Sequence, residues 1–252
     1  MRKVYLLLFV SAIAAGLNSC TEDLLPKPVV SFSISQDILE VNVPATFDNA
    51  TTNATTYEWD FGDGQTSTDK SPTIFYEETG SYTVTLKATT DDNQSEESTL
   101  EVTVGERKLY EIVINTLSFV NNEGADWDTI DPDSTSFKYP DFWFLLGPNV
   151  DPTFERTLAS RNIIFADLSP NLLALVFSGS GALTTLSDEK WSIAFFDFDG
   201  VNVDTPLDDD EDELMSFVEF NPVKDAAADE KGEGELIITK GLYSVTLVFK
   251  VE

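Results

Sequence analysis

The chain has 252 residues, with 45 acidic side chains against 15 basic ones and a formal net charge of −30. A field of this sign repels nucleic acids and anionic lipid head groups, which argues against DNA or RNA binding. Histidine is absent and there is a single cysteine, so any metal site would be all-oxygen, favouring calcium or magnesium over zinc. A hydrophobic content of 42% indicates a folded chain despite the charge.

The first twenty residues have the pattern of a secretory signal. Arg2 and Lys3 form a basic start, residues 4–17 are apolar, and Leu-Asn-Ser-Cys ends the segment at Cys20. The apolar run is too short for a membrane-spanning helix. This ending resembles the lipobox of bacterial lipoproteins, which implies that residues 1–19 are removed and that Cys20 carries the lipid. An ordinary signal that ends near a cysteine is the alternative.

The acidic pair Glu22-Asp23 follows directly behind the cysteine. It resembles the tag that directs lipoproteins of the Bacteroidota to the outer cell surface. The resemblance implies a protein anchored in the outer membrane through the acylated Cys20, facing the cell exterior, with residues 20–27 as its tether.

From Val29 onward, short segments of alternating apolar residues are separated by turn residues, a pattern typical of β-strands. Residues 105–107 (Gly-Glu-Arg) interrupt this rhythm. We therefore predict an all-β protein with two tandem β-sandwiches over residues 28–104 and 108–252, each of a length that suits one sandwich.

The first predicted domain contains the hairpin sequence YEWDFGDG over residues 57–64. Trp59 and Phe61 lie on one face of a strand, so we expect both in the core, and we expect Asp63 to accept hydrogen bonds from the turn backbone. With the downstream segment GSYTVTLKA, this motif resembles the PKD (polycystic kidney disease) domain, an immunoglobulin-like sandwich. Some members of that family bind calcium, which leaves Asp60 and Asp63 as alternative ligands.

The second predicted domain reads as eight strands separated by two acidic loops. The predicted strands are 109–120, 142–147, 155–165, 171–178, 189–196, 217–220, 234–240 and 243–251, with a hairpin turn at Lys240-Gly241. Residues 123–141 contain six acids, and residues 197–213 contain nine acids with no lysine or arginine.

Carboxylates crowded into such loops must be separated or neutralised. Two of them about 4 Å apart repel by about 4 kcal/mol at an effective dielectric constant near 20. Either the loops extend into solvent, or a divalent cation binds them. Asp197 and Asp199 stand at the end of a predicted strand, where alternation places both side chains on one side, able to hold one ion.

The order of these features resembles the calcium-binding C-two domain, the conserved-region-two sandwich of protein kinase C and synaptotagmin. In that family an acidic first loop ends in an aspartate just before a strand, as it does here at Asp141 before Phe142–Leu146. In the third loop of the family a strand runs into an Asp-x-Asp motif, as Phe195-Phe196 runs here into Asp197-Phe198-Asp199. The resemblance implies a calcium site formed by Asp126, Asp128, Asp141, Asp197, Asp199, Asp208 and Asp212. The loops are longer than in that family, and Ser216 stands near the family's glycine. The chain also has no basic strand, so the resemblance does not extend to phospholipid binding.

These features predict a non-enzymatic surface protein that binds a protein or glycan, with calcium as its cofactor. A carbohydrate-binding accessory of a polysaccharide-uptake system is the alternative, with Trp127 stacking on a sugar ring. A glycoside hydrolase with paired carboxylates is less favoured, because neither acidic cluster lies in an apolar cleft that would raise the pKa of one member.

Overall fold

The computed structural model describes residues 26–117, 142–148, 158–159, 174–197 and 213–252. All regular secondary structure within these ranges is β-strand. The strands form two tandem β-sandwiches, which confirms the predicted all-β class. The described residues include no helix long and apolar enough to cross a membrane.

The first domain contains nine strands. They are β1 (Phe32–Ser33), β2 (Leu39–Glu40), β3 (Ala45–Thr46), β4 (Asp48–Asn49), β5 (Thr56–Asp60), β6 (Thr66–Ser67), β7 (Thr73–Ile74), β8 (Gly80–Thr89) and β9 (Ser95–Gly105). A five-stranded sheet runs in the order β2-β9-β8-β5-β6, and β1-β4 and β3-β7 form two short pairs. All these pairings are antiparallel except that of β2 with β9.

The core of the first domain is built on the predicted aromatic residues. Trp59 and Phe61 are 2% and 0% exposed, and their rings stack with centroids 6.0 Å apart. Phe47 packs on Phe61 at 5.3 Å, and the indole Nε1 of Trp59 donates to the Asp69 carbonyl at 2.9 Å. The expectation that Trp59 and Phe61 fill the core is therefore confirmed.

The turn after β5 uses its aspartates for backbone hydrogen bonding. Asp60 Oδ1 accepts from the Gly62 amide and Asp63 Oδ1 from the Gln65 amide, both at 2.9 Å, which confirms the predicted role of Asp63. Gly62 has a φ of 80°, and a Cβ there would lie 2.8 Å from the Thr83 carbonyl oxygen. Only glycine fits this position without displacing the neighbouring strand.

Nine strands of the second domain lie within the described residues. They are β10 (Arg107–Thr116), β11 (Phe142–Pro148), β12 (Leu158–Ala159), β13 (Leu175–Ser178), β14 (Thr184–Thr185), β15 (Trp191–Asp197), β16 (Glu213–Phe220), β17 (Glu233–Lys240) and β18 (Tyr243–Val251). One sheet runs in the order β13-β10-β18-β17, with β14 also paired to β10, and the other runs β12-β11-β15-β16.

Most strands of this domain lie within the predicted spans or within a few residues of them, and two departures are informative. β16 begins at Glu213 and not at residue 217, because a register shift between Phe195 and Phe196 lets it stay paired with β15 as far as Asp197. The short β14 was not predicted. Gly241, with a φ of 60°, forms the predicted turn between β17 and β18.

β15 is buried on both faces. Ile193 and Phe195 belong to the main core between the sheets, while Ala194 and Phe196 pack with Leu145 in a second apolar cluster on the opposite face. A strand with two buried faces has no polar alternation, which explains the apolar run in the sequence of this strand. The resemblance to the C-two domain stays a prediction, since most of both acidic loops lies outside the described residues.

The two domains are joined through a single residue, Glu106, between β9 and β10. Its amide donates to the Glu252 carbonyl at 2.9 Å, and the Glu252 amide donates back at 3.0 Å. Farther from the join, the Asp37 amide donates to the Glu230 carbonyl at 2.8 Å. The connection is therefore part of a hydrogen-bonded strand pair and has no free linker backbone.

An arginine at the start of β10 binds both domains. Nε and Nη2 of Arg107 donate to the two carboxylate oxygens of Glu40 at 2.9 and 2.8 Å. Nη1 donates to the carbonyls of Pro222 and Ala226, and the guanidinium lies 3.9 Å from the centroid of the Phe249 ring. The two charged side chains are 1% and 8% exposed, so the ion pair is buried at the domain boundary.

Candidate functional site

Most of the residues predicted to form the functional site lie outside the described residues. These are Cys20, Asp126, Trp127, Asp128, Asp141, Asp199, Asp208 and Asp212. Asp197 is described in its backbone, as the last residue of β15. Calcium binding, lipid attachment at Cys20 and sugar stacking by Trp127 therefore stay predictions.

The backbone register brings three acid-bearing chain segments to one end of a sheet. Asp197 pairs with Phe142, the first residue of β11, and with Glu213, the first residue of β16. Asp141 and the acidic run that ends at residue 212 come immediately before those two strands in the chain. We refer to the row Phe142–Asp197–Glu213 as the acidic strand end.

The acidic strand end lies far from the first domain. At the other end of the same sheet, Trp191 pairs with Phe220, and the chain then continues to Pro222, whose carbonyl accepts from Arg107. Asp197 is six residues beyond Trp191 along β15, which corresponds to about 20 Å at roughly 3.3 Å per residue. The segments that carry the predicted calcium ligands thus attach at the end of the sheet that faces away from the domain junction.

Within the described residues, no group of three or more acids or cysteines is placed to hold a metal ion. In the first domain, Asp60 and Asp63 each bind a backbone amide of their own turn. Glu77 and Glu78 line an acidic hollow of about 470 Å³ beside Asp63, but this hollow does not bring the acids together as ligands.

A groove that the sequence did not predict lies on the outer face of the sheet β10-β18-β17, at its end nearest the domain junction. We call it the outer groove. Its volume is about 430 Å³, and the residues that line it include Tyr110, Asp229, Glu233, Glu235, Val248 and Lys250. Their neighbours along the strands, including Leu109, Leu236 and Leu247, are buried in the core, so alternation directs the groove residues outward.

Tyr110 lies at a β-bulge, where it and Glu111 are both partly exposed in succession. The pairing of β10 with β18 shifts between Leu109 and Glu111, which leaves Tyr110 as the extra residue. Its hydroxyl donates to Glu252 Oε2 at 2.6 Å, and this hydrogen bond, with a smaller contribution from burial, raises the pKa of the Tyr110 phenol above its ordinary value. Bulges redirect side chains, and periodicity does not reveal one in advance. For this reason the sequence did not indicate the groove.

The carboxylates of the outer groove are held differently from one another. Asp229 Oδ1 accepts from the amides of Lys231 and Glu233 at 2.8 and 2.9 Å, so this side chain shapes the turn into β17. Lys250 Nζ lies 3.4 Å from Glu233 Oε1, with both side chains about half exposed at 47% and 58%. Lys250 and Glu233 are therefore both accessible to a polar ligand.

Comparison with known proteins identifies the family of the first domain. The family model of the PKD domain matches residues 26–104. These residues form a PKD domain. The metalloprotease PrtV of Vibrio cholerae serotype O1 is 40% identical over 77 residues, which is 30% of this chain and 8% of the protease. The collagenase ColQ1 of Bacillus cereus strain Q1 is 46% identical over 55 residues, which is 22% of this chain and 6% of the collagenase.

The crystal structure of the PKD1 domain of Vibrio cholerae PrtV is similar to the same part of the chain. It is 35% identical, covers 31% of this chain and 98% of that domain, and has a TM-score of 0.28. The matched stretch spans only 8% of the curated proteases' own length. The family match over residues 26–104 identifies the first domain and says nothing of the activity of the whole protein.

Proposed function

We propose that this protein is a non-enzymatic, lipid-anchored binding protein of the bacterial outer-membrane surface. In this proposal Cys20 carries the lipid, the PKD domain is a spacer, and the second domain binds the ligand. One observation carries the proposal. The tether joins the PKD domain at the end away from the domain junction, and the acidic strand end lies at the end of the second domain that is also away from the junction.

The tether side of the PKD domain is defined by contacts of the first described residues. Lys27 Nζ lies 2.6 Å from Glu96 Oε1, and the Lys27 carbonyl accepts from Asn53 Nδ2 at 3.3 Å. Glu96 stands nine residues before Gly105 on β9, a distance of about 30 Å along the strand. The tether from a lipid at Cys20 would therefore join the PKD domain at the end opposite to the domain junction.

The junction supports the spacer role because it limits bending. Glu106 has both backbone groups bonded, and the Glu40–Arg107 pair is buried with further hydrogen bonds from the second domain. A flexible connection would let the second domain fold back toward the membrane. A fixed one keeps the acidic strand end on the side away from the anchor.

The test of the anchor is the variant Cys20→Ala. Stable membrane attachment needs more than one acyl chain, so loss of lipidation removes the protein from the membrane fraction. We expect Cys20→Ala to partition into the soluble fraction after a high-salt wash, whereas the neighbouring control Thr21→Ala stays with the outer membrane. Retention of Cys20→Ala in that membrane would contradict lipid anchoring at this residue.

We further propose that calcium binds at the acidic strand end, with ligands from Asp126, Asp128, Asp141, Asp197, Asp199, Asp208 and Asp212. Support comes from the pairing of Asp197 with Phe142 and Glu213, which attaches three acidic segments at one sheet end. Calcium takes six to eight oxygen ligands, and carboxylates from several segments can supply them.

Calcium should stabilise the protein, since only the folded state would hold the ligands together. The expected gain in unfolding free energy is about 2.7 kcal/mol at a hundredfold excess over Kd. Differential scanning calorimetry of the full chain should show a higher Tm with millimolar calcium, and Asp197→Asn with Asp199→Asn should remove the shift. Glu58→Asn with Glu97→Asn, the same charge change in the PKD domain, should keep it. An unchanged Tm and no binding heat in the native chain would mean that the loops are solvated surface.

A further inference from the structure

We propose that the outer groove of the second domain binds a neutral oligosaccharide. This inference rests on the proposed binding function and adds to it a specific site and a ligand class. The groove is separate from the acidic strand end, which lies toward the opposite end of the same domain.

The shape of the groove suits a small part of a glycan chain. Its volume of about 430 Å³ lies in the range of small-molecule sites, roughly 300–1,000 Å³. It is open along the sheet face and lies over the half-buried Val248, between Tyr110 and the side chains of β17. An open trough of this kind admits an internal segment of a chain, whose remaining units extend into solvent on either side.

Tyr110 provides a pre-positioned apolar surface. The bulge in β10 sets its backbone, and the hydrogen bond to Glu252 holds the other end of the ring. An aromatic ring held at both ends loses little conformational freedom when a ligand packs on it. Sugar rings present apolar C–H faces, and these pack favourably on an aromatic ring beside the methyl groups of Val248.

The polar groups of the groove match hydroxyls in both directions. Glu233 and Glu235 can accept hydrogen bonds from sugar hydroxyls, while the Lys250 ammonium can donate to them. The contact between Lys250 and Glu233 is long, at 3.4 Å, and exposed. Exposed pairs of this kind contribute little, so each group can exchange its partner for a ligand hydroxyl at low cost.

The charge of the groove selects against anionic ligands. Asp229, Glu233 and Glu235 repel phosphates, sulfated sugars and uronic acids. The Lys250 ammonium stands opposite Glu233 and offsets one of these three carboxylates. A neutral ligand with many hydroxyls is favoured over a cationic one because Tyr110 and Val248 offer an apolar surface to its C–H faces.

The experiment measures binding of three soluble neutral probes, cellohexaose, xylohexaose and mannohexaose, to the purified full chain by isothermal titration calorimetry. The detergent must be free of sugar head groups. We expect at least one probe to bind, and Tyr110→Ala to weaken that binding by about tenfold or more through loss of the packing surface. Tyr110→Phe, which keeps the ring but loses the hydrogen bond to Glu252, should bind more tightly than Tyr110→Ala and no more tightly than the native chain.

Two further variants separate a groove effect from a loss of folding. Glu235→Ala, an exposed change that leaves the ring in place, should also weaken binding, whereas Ile237→Ala, exposed on the same strand outside the groove, should not. The proposal is overturned if no probe binds the native chain, or if Tyr110→Ala binds as the native chain does. Binding of hexalysine alone, abolished by salt, would overturn it in favour of a cationic ligand. The fractionation of Cys20→Ala and the calcium response are read independently of these results.

Discussion

Arg107 shows how one side chain can determine the relation between two domains. It is 2% exposed and it bonds Glu40 of the PKD domain and two carbonyls of the second domain. Replacement by methionine fills similar space but leaves the Glu40 carboxylate buried without a counter-charge. Loss of one partner of a buried pair costs about 3–5 kcal/mol, so we expect Arg107→Met to lower the unfolding free energy by that amount in urea denaturation.

The matched control for this prediction is an ion pair at the surface. Lys87 Nζ lies 2.9 Å from Glu58 Oε2, with exposed fractions of 44% and 64%. Lys87→Met should therefore cost less than about 1 kcal/mol. If the two methionine variants proved equally stable, the buried pair at the junction would have no special role. The double variant Glu40→Leu with Arg107→Met should recover much of the lost stability, because it removes both buried charges together.

At the scale of strands, the join between the domains depends on a close approach of backbones. Gly105 ends β9, and a Cβ at this position would lie 2.6 Å from the carbonyl carbon and the carbonyl oxygen of Glu252. Gly105→Ala must push the end of the chain away from Glu106 and weaken the pairing there. We expect a loss of about 1–3 kcal/mol in unfolding free energy, as for other forced overpacking.

Gly181→Ala is the control for this prediction, since a Cβ there meets nothing within 4 Å. Substitutions of this kind usually change stability by less than about 0.5 kcal/mol. Both variants can be compared by urea denaturation under identical conditions. A loss at Gly105 no larger than at Gly181 would contradict the close packing of the join.

Sequence patterns predicted the strands and turns that depend on local residues. Trp59 and Phe61 were assigned to the core by alternation, and Gly241 to a hairpin turn by its position between two apolar strands. β16 was placed too short, because Glu213 is a charged residue at the end of an acidic run and only its pairing with Asp197 places it in a strand. Pairing between strands is a property of the folded chain, and periodicity within one segment does not contain it.

The junction and the outer groove depend on contacts between distant residues. Glu40 and Arg107 are 67 residues apart in the chain, and they meet because β2 pairs with β9 so that Glu40 lies beside Gly105. Arg107 is followed by Lys108 in the sequence, so nothing local shows that only the arginine is buried and needs a charged partner. Nothing local marks Tyr110 either, which lies at the bulge.

For the whole molecule, the contacts at the join predict one fixed arrangement of the two domains. Both strand ends are hydrogen-bonded across Glu106, and a Cβ at Gly232 would lie 2.6 Å from Ile38 Cγ2, so the two domains also approach closely beside the join. Domains connected by flexible linkers sample many orientations, whereas domains with a buried ionic contact and paired backbones have one. A spacer needs one fixed orientation, because only a rigid connection keeps the acidic strand end away from the membrane.

Pulsed electron–electron double resonance measures the distance between two spin labels and tests this rigidity directly. Because Cys20 is the single cysteine of the sequence, Cys20→Ala allows unique labels at Thr68→Cys in the PKD domain and Ser178→Cys in the second domain, both exposed. We expect one narrow distance distribution for the otherwise native chain and a broader one when Glu40→Gln weakens the junction. Lys87→Met, away from the junction, should leave the distribution narrow. A broad distribution with Glu40 and Arg107 intact would mean that the domains move independently, and the PKD domain would then be a flexible tether that cannot hold the acidic strand end away from the membrane.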